Sequence, residues 1–424
     1  MDAYDIFQKI NKYWAALYPK NSGNIDKPKQ KIKVMTNATN EVVETAKKLA
    51  QQGIAVDIFT RAEKDGLDDL VELAPGVEVH HLEAGPVSKL SKEELPAHIG
   101  ALTSAFMHHQ LGKPSNYYDL IHSHYWISGQ LGWMIKERFG TPIVHTMHTM
   151  AKVKNQSLAE GEAPEPLIRE LGEQQIVDNA DALIANTDAE AASLVSLYGA
   201  KPEKVNVVTP GVNLDEFDIG AKVAKDKFMV TFIGRIQPHK GPEVLVRAAA
   251  EALLIAPHLR SKLDVAIMGA NSGAGHNELE KLKALVKFLK IEDVVRFIPP
   301  VKRETLPDWY RQSDLVCVPS YSESFGLVAI EAQACGTPVV ASAVGGLRTA
   351  VADGISGVLV DGHDPKAWAW VIVKLLMDPA RRTQLSVGAR AHASNFSWDN
   401  TARKTIAVYE QVVSGGVSGL KVVN

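Results

Sequence analysis

The stretch Phe228-Met-Val-Thr-Phe-Ile-Gly-Arg-Ile-Gln-Pro-His-Lys-Gly-Pro242 contains a strand, a loop and the start of a helix in one run. Phe228–Ile233 is apolar and partly β-branched, as a buried strand requires. Gly234 and Gly241 bracket a loop that carries Arg235 and Lys240, and Pro242 is well placed at the first position of a helix. Two cations beside a helix N-terminus make a site for a diphosphate. Downstream, helices are expected at Pro242–Leu254, Asn277–Leu289, Arg303–Gln312 and Leu327–Ala334. Strands are expected at Leu263–Met268, Val294–Ile298, Leu315–Pro319, Pro338–Ala341 and Gly357–Val360. Strands alternating with helices at this spacing imply right-handed βαβ units on a parallel sheet.

The same rhythm runs upstream. Strands are expected at Lys31–Met35, Ile54–Thr60, Val77–Leu82, Leu120–His124, Ile143–Met147, Ala182–Asn186 and Val205–Thr209, with a helix at Glu41–Gln52. The alternation breaks at Val208–Phe217. We therefore expect two successive Rossmann-like parallel-sheet domains facing a central cleft, residues 31–211 and 212–397, hinged near residue 211. Ligands of open α/β sheets sit at the carboxyl ends of the strands. Pro365–Met377 and Trp398–Val413 are further helices. Residues 1–30 fall outside the rhythm: Ile6–Leu17 has an amphipathic helical pattern, Asn21–Gln30 reads as a loop, and Lys27, Lys29, Lys31 and Lys33 read as a solvated face.

Composition narrows the function. In 424 residues, 46 Lys and Arg balance 49 Asp and Glu for a net charge of −3, without the basic excess of a nucleic-acid or anionic-membrane binder. No apolar run approaches the ~18 residues of a membrane span, and Met1–Lys20 lacks a signal-peptide layout. A soluble cytoplasmic protein is expected. The two cysteines, Cys317 and Cys335, sit among apolar and small residues and read as buried and reduced.

A second motif, Pro319-Ser-Tyr-Ser-Glu-Ser-Phe-Gly-Leu-Val-Ala-Ile-Glu331, again runs from a strand end into a helix, starting near Phe325–Gly326. Glu323 precedes that helix, and Glu331 follows about two turns later if the helix is continuous. Ionised carboxylates accept hydrogen bonds from sugar hydroxyls, so the pair suits polyol recognition. The spacings His122-x-His124 and His145-x-x-His148 make a metal site conceivable. However, two histidines two apart on a strand point the same way, and no acidic third ligand or Cys lies nearby, so no metal site is assigned. They read instead as hydrogen-bonding strand-end residues, with His148 also a candidate for the active site.

The Gly-Arg-x-x-x-x-Lys-Gly loop, the Glu323/Glu331 pair, Ala343-Val-Gly-Gly-Leu347 and Val351–Val360 together resemble the retaining GT-B glycosyltransferases of family 4, over about residues 40–412. A narrower resemblance lies in Ser91–Pro96, Asp119–Gln130, His145–Thr149, Val153–Asn155 and Glu173–Asp181. These segments are similar to the D-inositol-3-phosphate glycosyltransferases of actinobacterial mycothiol biosynthesis. The resemblance implies retaining transfer of N-acetylglucosamine from UDP-GlcNAc to 1D-myo-inositol 3-phosphate by a homodimeric hexosyltransferase. It also implies that the helix at about 398–413 crosses back to the first, acceptor-binding domain, the second binding the donor. Arg235 and Lys240 would hold the donor diphosphate and stabilise the leaving UDP. Glu323, with Phe325 and Gly326, would meet the donor sugar, Glu331 the ribose and Val301 the uracil. Lys92, Tyr125, Thr149 and Arg169 would grip the acceptor phosphate, and His148 would orient the donor sugar. Arg235, Lys240, His148 and Glu323 are thus the catalytic candidates. Gly269–Gly275 would line the donor pocket. No cofactor is required; Mg²⁺ is left open, since no Asp-x-Asp motif is present.

One segment departs from the family. A long Gly-rich loop follows the first strand in these enzymes, whereas Val34-Met-Thr-Asn-Ala-Thr-Asn40 contains no glycine. Asn37 and Asn40 are the available replacements for its lost backbone donors. The departure leaves two further readings open: a different acceptor, or a catalytically impaired homologue that binds nucleotide sugars.

Overall fold

The computed structural model describes residues 31–35, 40–221, 225–271 and 277–415. The expected features at Ile6–Leu17 and Asn21–Gln30, together with Lys27, Lys29 and Asn37, lie outside the described residues, as does the Gly-rich stretch beyond Asn271 up to residue 276.

The chain forms two compact units. The first comprises Met1–Ala151, Glu165–Val208 and Trp398–Asn424; the second comprises Lys152–Pro164 and Thr209–Ser397. In the first, the elements are β1 (Lys31–Met35), α1 (Asn40–Gln51), β2 (Ala55–Arg61), β3 (Leu70–Ala74), β4 (Val77–Leu82), α2 (Ile99–His109) and β5 (Leu120–His124). They continue with α3 (Trp126–Phe139), β6 (Ile143–Thr146), α4 (Leu167–Asn179), β7 (Ala182–Ala185), α5 (Asp188–Tyr198) and β8 (Val205–Val207). The eight strands are ordered β3-β4-β2-β1-β5-β6-β7-β8. All neighbours are parallel except the β3–β4 pair. β3 is exposed along its length and was not expected from the alternation.

Helix α1 buries Val42, Ala46 and Leu49, one face at helical spacing, against Val56 and Ile58 of β2 and Ala402, Val408 and Tyr409 of the last helix, Trp398–Gly415. Helix α5 is capped reciprocally: Thr187 Oγ1 accepts from Glu190 N at 3.2 Å, and Glu190 Oε2 accepts from Asn186 N at 2.8 Å.

The second unit contains β9 (Phe228–Ile233), α6 (Pro242–Ile255), β10 (Leu263–Met268), α7 (Glu278–Phe288), β11 (Val295–Ile298), α8 (Leu306–Gln312) and β12 (Leu315–Val318). Then come α9 (Leu327–Ala334), β13 (Val339–Ser342), β14 (Gly357–Val360), α10 (Pro365–Met377) and α11 (Pro379–Ala393). Its six strands are ordered β11-β10-β9-β12-β13-β14, all parallel. Both faces are buried, as parallel sheets require. Leu315 and Cys317 of β12 pack with α6 and α10 in one core, around the fully buried Trp368. Val316 and Val318 pack with α9 in the other. The free thiols of Cys317 and Cys335 are buried. No helix among the described residues is long and apolar enough to cross a membrane.

Candidate active site

In the second sheet the strand order reverses between β9 and β12. That switch point opens a crevice at the carboxyl ends of the strands. The two motif loops leave from these ends, Gly234–Gly241 after β9 and Pro319–Gly326 after β12. Their backbones are locked together. Tyr321 N donates to His239 O at 2.8 Å, and Gly241 has φ +68° with the Pro319 carbonyl where a Cβ would stand. Lys240 Nζ meets Glu323 Oε2 at 2.7 Å, and each side chain is about one-fifth exposed. Ser320 Oγ donates to the same oxygen at 3.3 Å. Gly346 N donates to Glu323 O at 2.8 Å, and a Cβ at Gly346 would collide with the Ser324 carbonyl, so Glu323 is fixed from behind. Arg235 is exposed.

Helix α9 begins only at Leu327, after Gly326 at φ +100°. Glu323 is therefore in the loop, and Glu331 lies within the helix; the two do not share a helix face. The Phe325 ring is in the core against Phe396, with ring centroids 5.5 Å apart. Val301 is partly buried in the loop that follows β11.

Glu331 is buried and accepts from Tyr310 OH at 2.9 Å and Arg303 Nη1 at 3.3 Å. Arg303 also grips Glu216, Nε to Oε1 at 2.9 Å and Nη2 to Oε2 at 3.1 Å, above the Phe217 ring. Burial pushes the Glu331 carboxyl above its ordinary range, although Arg303 and Tyr310 pull it back. Sequence reasoning passed over Arg303 because it expected one helix from Arg303 to Gln312. The structure has a separate 3₁₀ turn, Arg303–Thr305, which aims the guanidinium inward. The available signal was the Lys302-Arg303 pair directly after Val301.

In the first unit the order reverses at β1/β5. Tyr125 follows β5 with φ 71° and ψ 150°, a conformation essentially restricted to glycine. Its carbonyl is held by Ser128 Oγ at 2.9 Å and Gly129 N at 3.1 Å. His148 has φ 58°. Among the described residues only Tyr125, His148 and Lys290 combine a side chain with positive φ. Backbone strain of this kind collects at functional sites.

The Arg169 guanidinium lies 5.1 Å from the Tyr125 ring centre. Arg169, expected from the resemblance to meet the acceptor phosphate, is held by the protein's own acids. It is 3% exposed and already paired twice, Nε with Glu173 Oε1 at 2.7 Å and Nη1 with Glu165 Oε2 at 2.9 Å, while Nη2 donates to Thr149 O at 3.1 Å. Burial opposes its charge, but Glu173, Tyr125 and Glu165 outweigh that and raise its pKa. Lys92, on the exposed side, reaches Glu165 Oε1 at 3.3 Å.

The histidines meet neighbouring hydroxyls and, in one pair, each other. His122 contacts Tyr409 OH at 2.7 Å and Thr146 Oγ1 at 2.8 Å, His145 contacts Ser123 Oγ at 2.8 Å, and His124 Nδ1 meets His148 Nε2 at 2.8 Å. Burial lowers the pKa of His122 to about 3, and those of His124 and His145 well below the usual value, so these three are neutral. Burial also works against charge on His148, but Glu41, 3.4 Å from its Nδ1, and Glu190 outweigh it, and its pKa is raised. Burial pushes Glu190 up to about 7. Among the described residues the one His/carboxylate group compact enough for an ion is Asp57, Glu78 and His80, whose Asp57 accepts from Tyr118 OH at 2.7 Å.

The geometry thus sets a loop with Arg235 and Lys240 beside the Glu323 carboxylate in one unit, and two cations with a phenol in the other. The family described as glycosyl transferases group 1 matches residues 215–392, and the glycosyl transferase 4-like domain matches residues 38–211. The chain belongs to the GT4-like, group 1 glycosyltransferases. The glycosyltransferase is 53% identical over 380 residues to D-inositol 3-phosphate glycosyltransferase 2 of Catenulispora acidiphila, covering 88% of this chain and 89% of that one. It is 51% identical over 376 residues to D-inositol 3-phosphate glycosyltransferase of Kribbella flavida, covering 87% and 89%. Sucrose-phosphate synthase of Thermosynechococcus elongatus superposes with a TM-score of 0.81 at 29% identity, covering 91% of this chain and all of that one. HepE of Anabaena, solved with UDP-glucose, shares the fold with a TM-score of 0.67 at 19% identity, covering 92% of this chain and all of that one. The two parallel-sheet units are those of the GT-B fold, and the protein is a hexosyltransferase.

Proposed function

We infer that the glycosyltransferase moves N-acetylglucosamine from UDP-GlcNAc to 1D-myo-inositol 3-phosphate with retention of configuration. The observation that carries the acceptor is the meeting of Lys92, Arg169 and Tyr125, residues far apart in sequence whose chemistry suits a phosphate monoester. The names of the relatives, at about half identity over most of each chain, support the same acceptor.

On this reading Arg235 and Lys240 take the donor diphosphate and stabilise the leaving UDP. Lys240 exchanges Glu323 for phosphate, which frees the Glu323 carboxylate to accept from sugar hydroxyls. Phe325 and Gly326 contribute backbone, Glu331 accepts from the ribose, and Val301 meets the base. Lys92, Tyr125, Thr149 and Arg169 hold the acceptor phosphate, and His148 orients the sugar. Retention without an evident protein nucleophile leaves positioning and electrostatics as the sources of rate. We assign the reaction to the cytoplasm of an actinobacterial mycothiol producer and the working form to a homodimer, which light scattering tests. The decisive assay is label transfer from UDP-[¹⁴C]GlcNAc to 1D-myo-inositol 3-phosphate, with the anomeric configuration of the product read by NMR. No product under conditions where a relative turns over refutes the reading.

A further inference from the structure

The acceptor cations are already neutralised. Lys92 and Arg169 bring two positive charges, and Glu165 and Glu173 bring two negative ones, all joined by ion pairs of 2.7–3.3 Å. Glu93, exposed, adds a further acid 3.7 Å from Lys92. A phosphate monoester brings a charge of about −1.5 to −2 at neutral pH. Adding it without removing a carboxylate would bury excess negative charge beside the Arg169 guanidinium, which is strongly unfavourable. One carboxylate has to yield.

The two carboxylates sit in different settings. Glu173 is inside helix α4, fully buried, and accepts from Ala151 N at 2.8 Å and from the Tyr198 hydroxyl as well as from Arg169. Glu165 precedes the helix. It lies between Pro164 and Pro166, both exposed at the surface, and Pro166 is extended at φ −70° and ψ 150°. Its two oxygens face the two cations separately, Oε1 toward Lys92 and Oε2 toward Arg169, as two oxygens of a bridging phosphate would.

We propose that Glu165 is an internal counter-anion that occupies the acceptor-phosphate subsite and is displaced by it. This deepens the reading above and rests on it. Glu165 then sets a charge threshold: a dianionic phosphate replaces it, whereas a neutral polyol, which cannot neutralise Lys92 and Arg169, does not. The residue holds the phosphate subsite shut until a ligand arrives with enough negative charge to take its place, and a neutral polyol gains nothing from its removal.

The test is calorimetric titration of the full chain with 1D-myo-inositol 3-phosphate, inorganic phosphate and free myo-inositol, comparing wild type with Glu165→Gln, Glu165→Ala and Lys92→Ala. Removing the competing charge is expected to tighten inositol 3-phosphate and inorganic phosphate about tenfold in both Glu165 variants, with free myo-inositol unchanged. Lys92→Ala is expected to weaken inositol 3-phosphate about tenfold. Unchanged or weaker phosphate binding by Glu165 variants that melt like wild type overturns the inference, since Glu165 would then only support Arg169. Loss of cooperative melting in both Glu165 variants also overturns it. If inositol 3-phosphate fails to bind wild type, or binds Lys92→Ala equally well, the acceptor assignment falls too. If Lys92→Ala weakens binding and the Glu165 variants change nothing, only the Glu165 inference falls.

Discussion

In the second unit Lys240 shares a single carboxylate, Glu323, and both side chains are about one-fifth exposed, with Arg235 open to solvent. In the first unit Arg169 is 3% exposed and held by two carboxylates and a carbonyl. The first arrangement can exchange partners with water's help and little rearrangement. The second can change partner only by moving a buried acid. On the proposed function the same task, holding phosphate oxygens, falls once to loops that stand ready and once to a site that has to be vacated.

The largest expected break in this contrast is in stability. Arg169→Ala leaves Glu173 buried without its cation and Glu165 with Lys92 alone, and should cost about 3–5 kcal/mol in urea unfolding. Arg235→Ala, at an exposed position, should stay within about 0.5 kcal/mol of wild type. Equal costs would erase the distinction. Next, Lys240→Ala should lower kcat about 10²–10³-fold in a UDP-release assay while the melting curve barely moves. A smaller effect is expected at Arg303→Ala. Without its guanidinium Glu331 is drawn toward the protonated form, and KM for the donor should rise about tenfold with kcat nearly kept; Arg303→Lys should recover part of the loss.

The smallest effect concerns pH. The pKa of Glu190 is raised to about 7 by burial, so the folded state binds its proton more tightly than the unfolded chain does. Stability from this group is present in full below the usual carboxylate range and declines as pH rises toward 7, by at most about 1.4 kcal/mol per pH unit. Glu190→Gln keeps an oxygen to accept from Asn186 N, so its melting temperature should fall less steeply between pH 5 and pH 7. A steeper fall would contradict the assignment.

Much of this was legible in the residues because strand runs and loop motifs are local. The fragment Phe228–Pro242 contains β9, the Gly234–Gly241 loop and the start of α6 in order. Strand β3 was not legible: Leu70-Val-Glu-Leu-Ala74 is exposed along its length, and its place follows from pairing with β4 rather than from its own pattern. Helix α11 was hidden by its polar sequence, with Leu385, Ala389 and Ala393 as its buried stripe. In the site, individual cations could be named but their partners could not. Glu165 reads as a loop acid between two prolines, and only the tertiary fold brings it to Lys92, 73 positions away. Arg303 was likewise invisible, since its link to Glu331 spans 28 positions and depends on the 3₁₀ turn.

The backbone at Tyr125 has a further consequence. Glycine would sit at φ 71°, ψ 150° without strain, and asparagine or glycine would be easier at His148. A population of variants sorted only for heat resistance should therefore drift toward glycine at 125 and asparagine or glycine at 148. The survivors would be sturdier proteins that have lost the phenol and the imidazole; on the proposed function these two positions mark where folding and transfer pull the sequence in opposite directions.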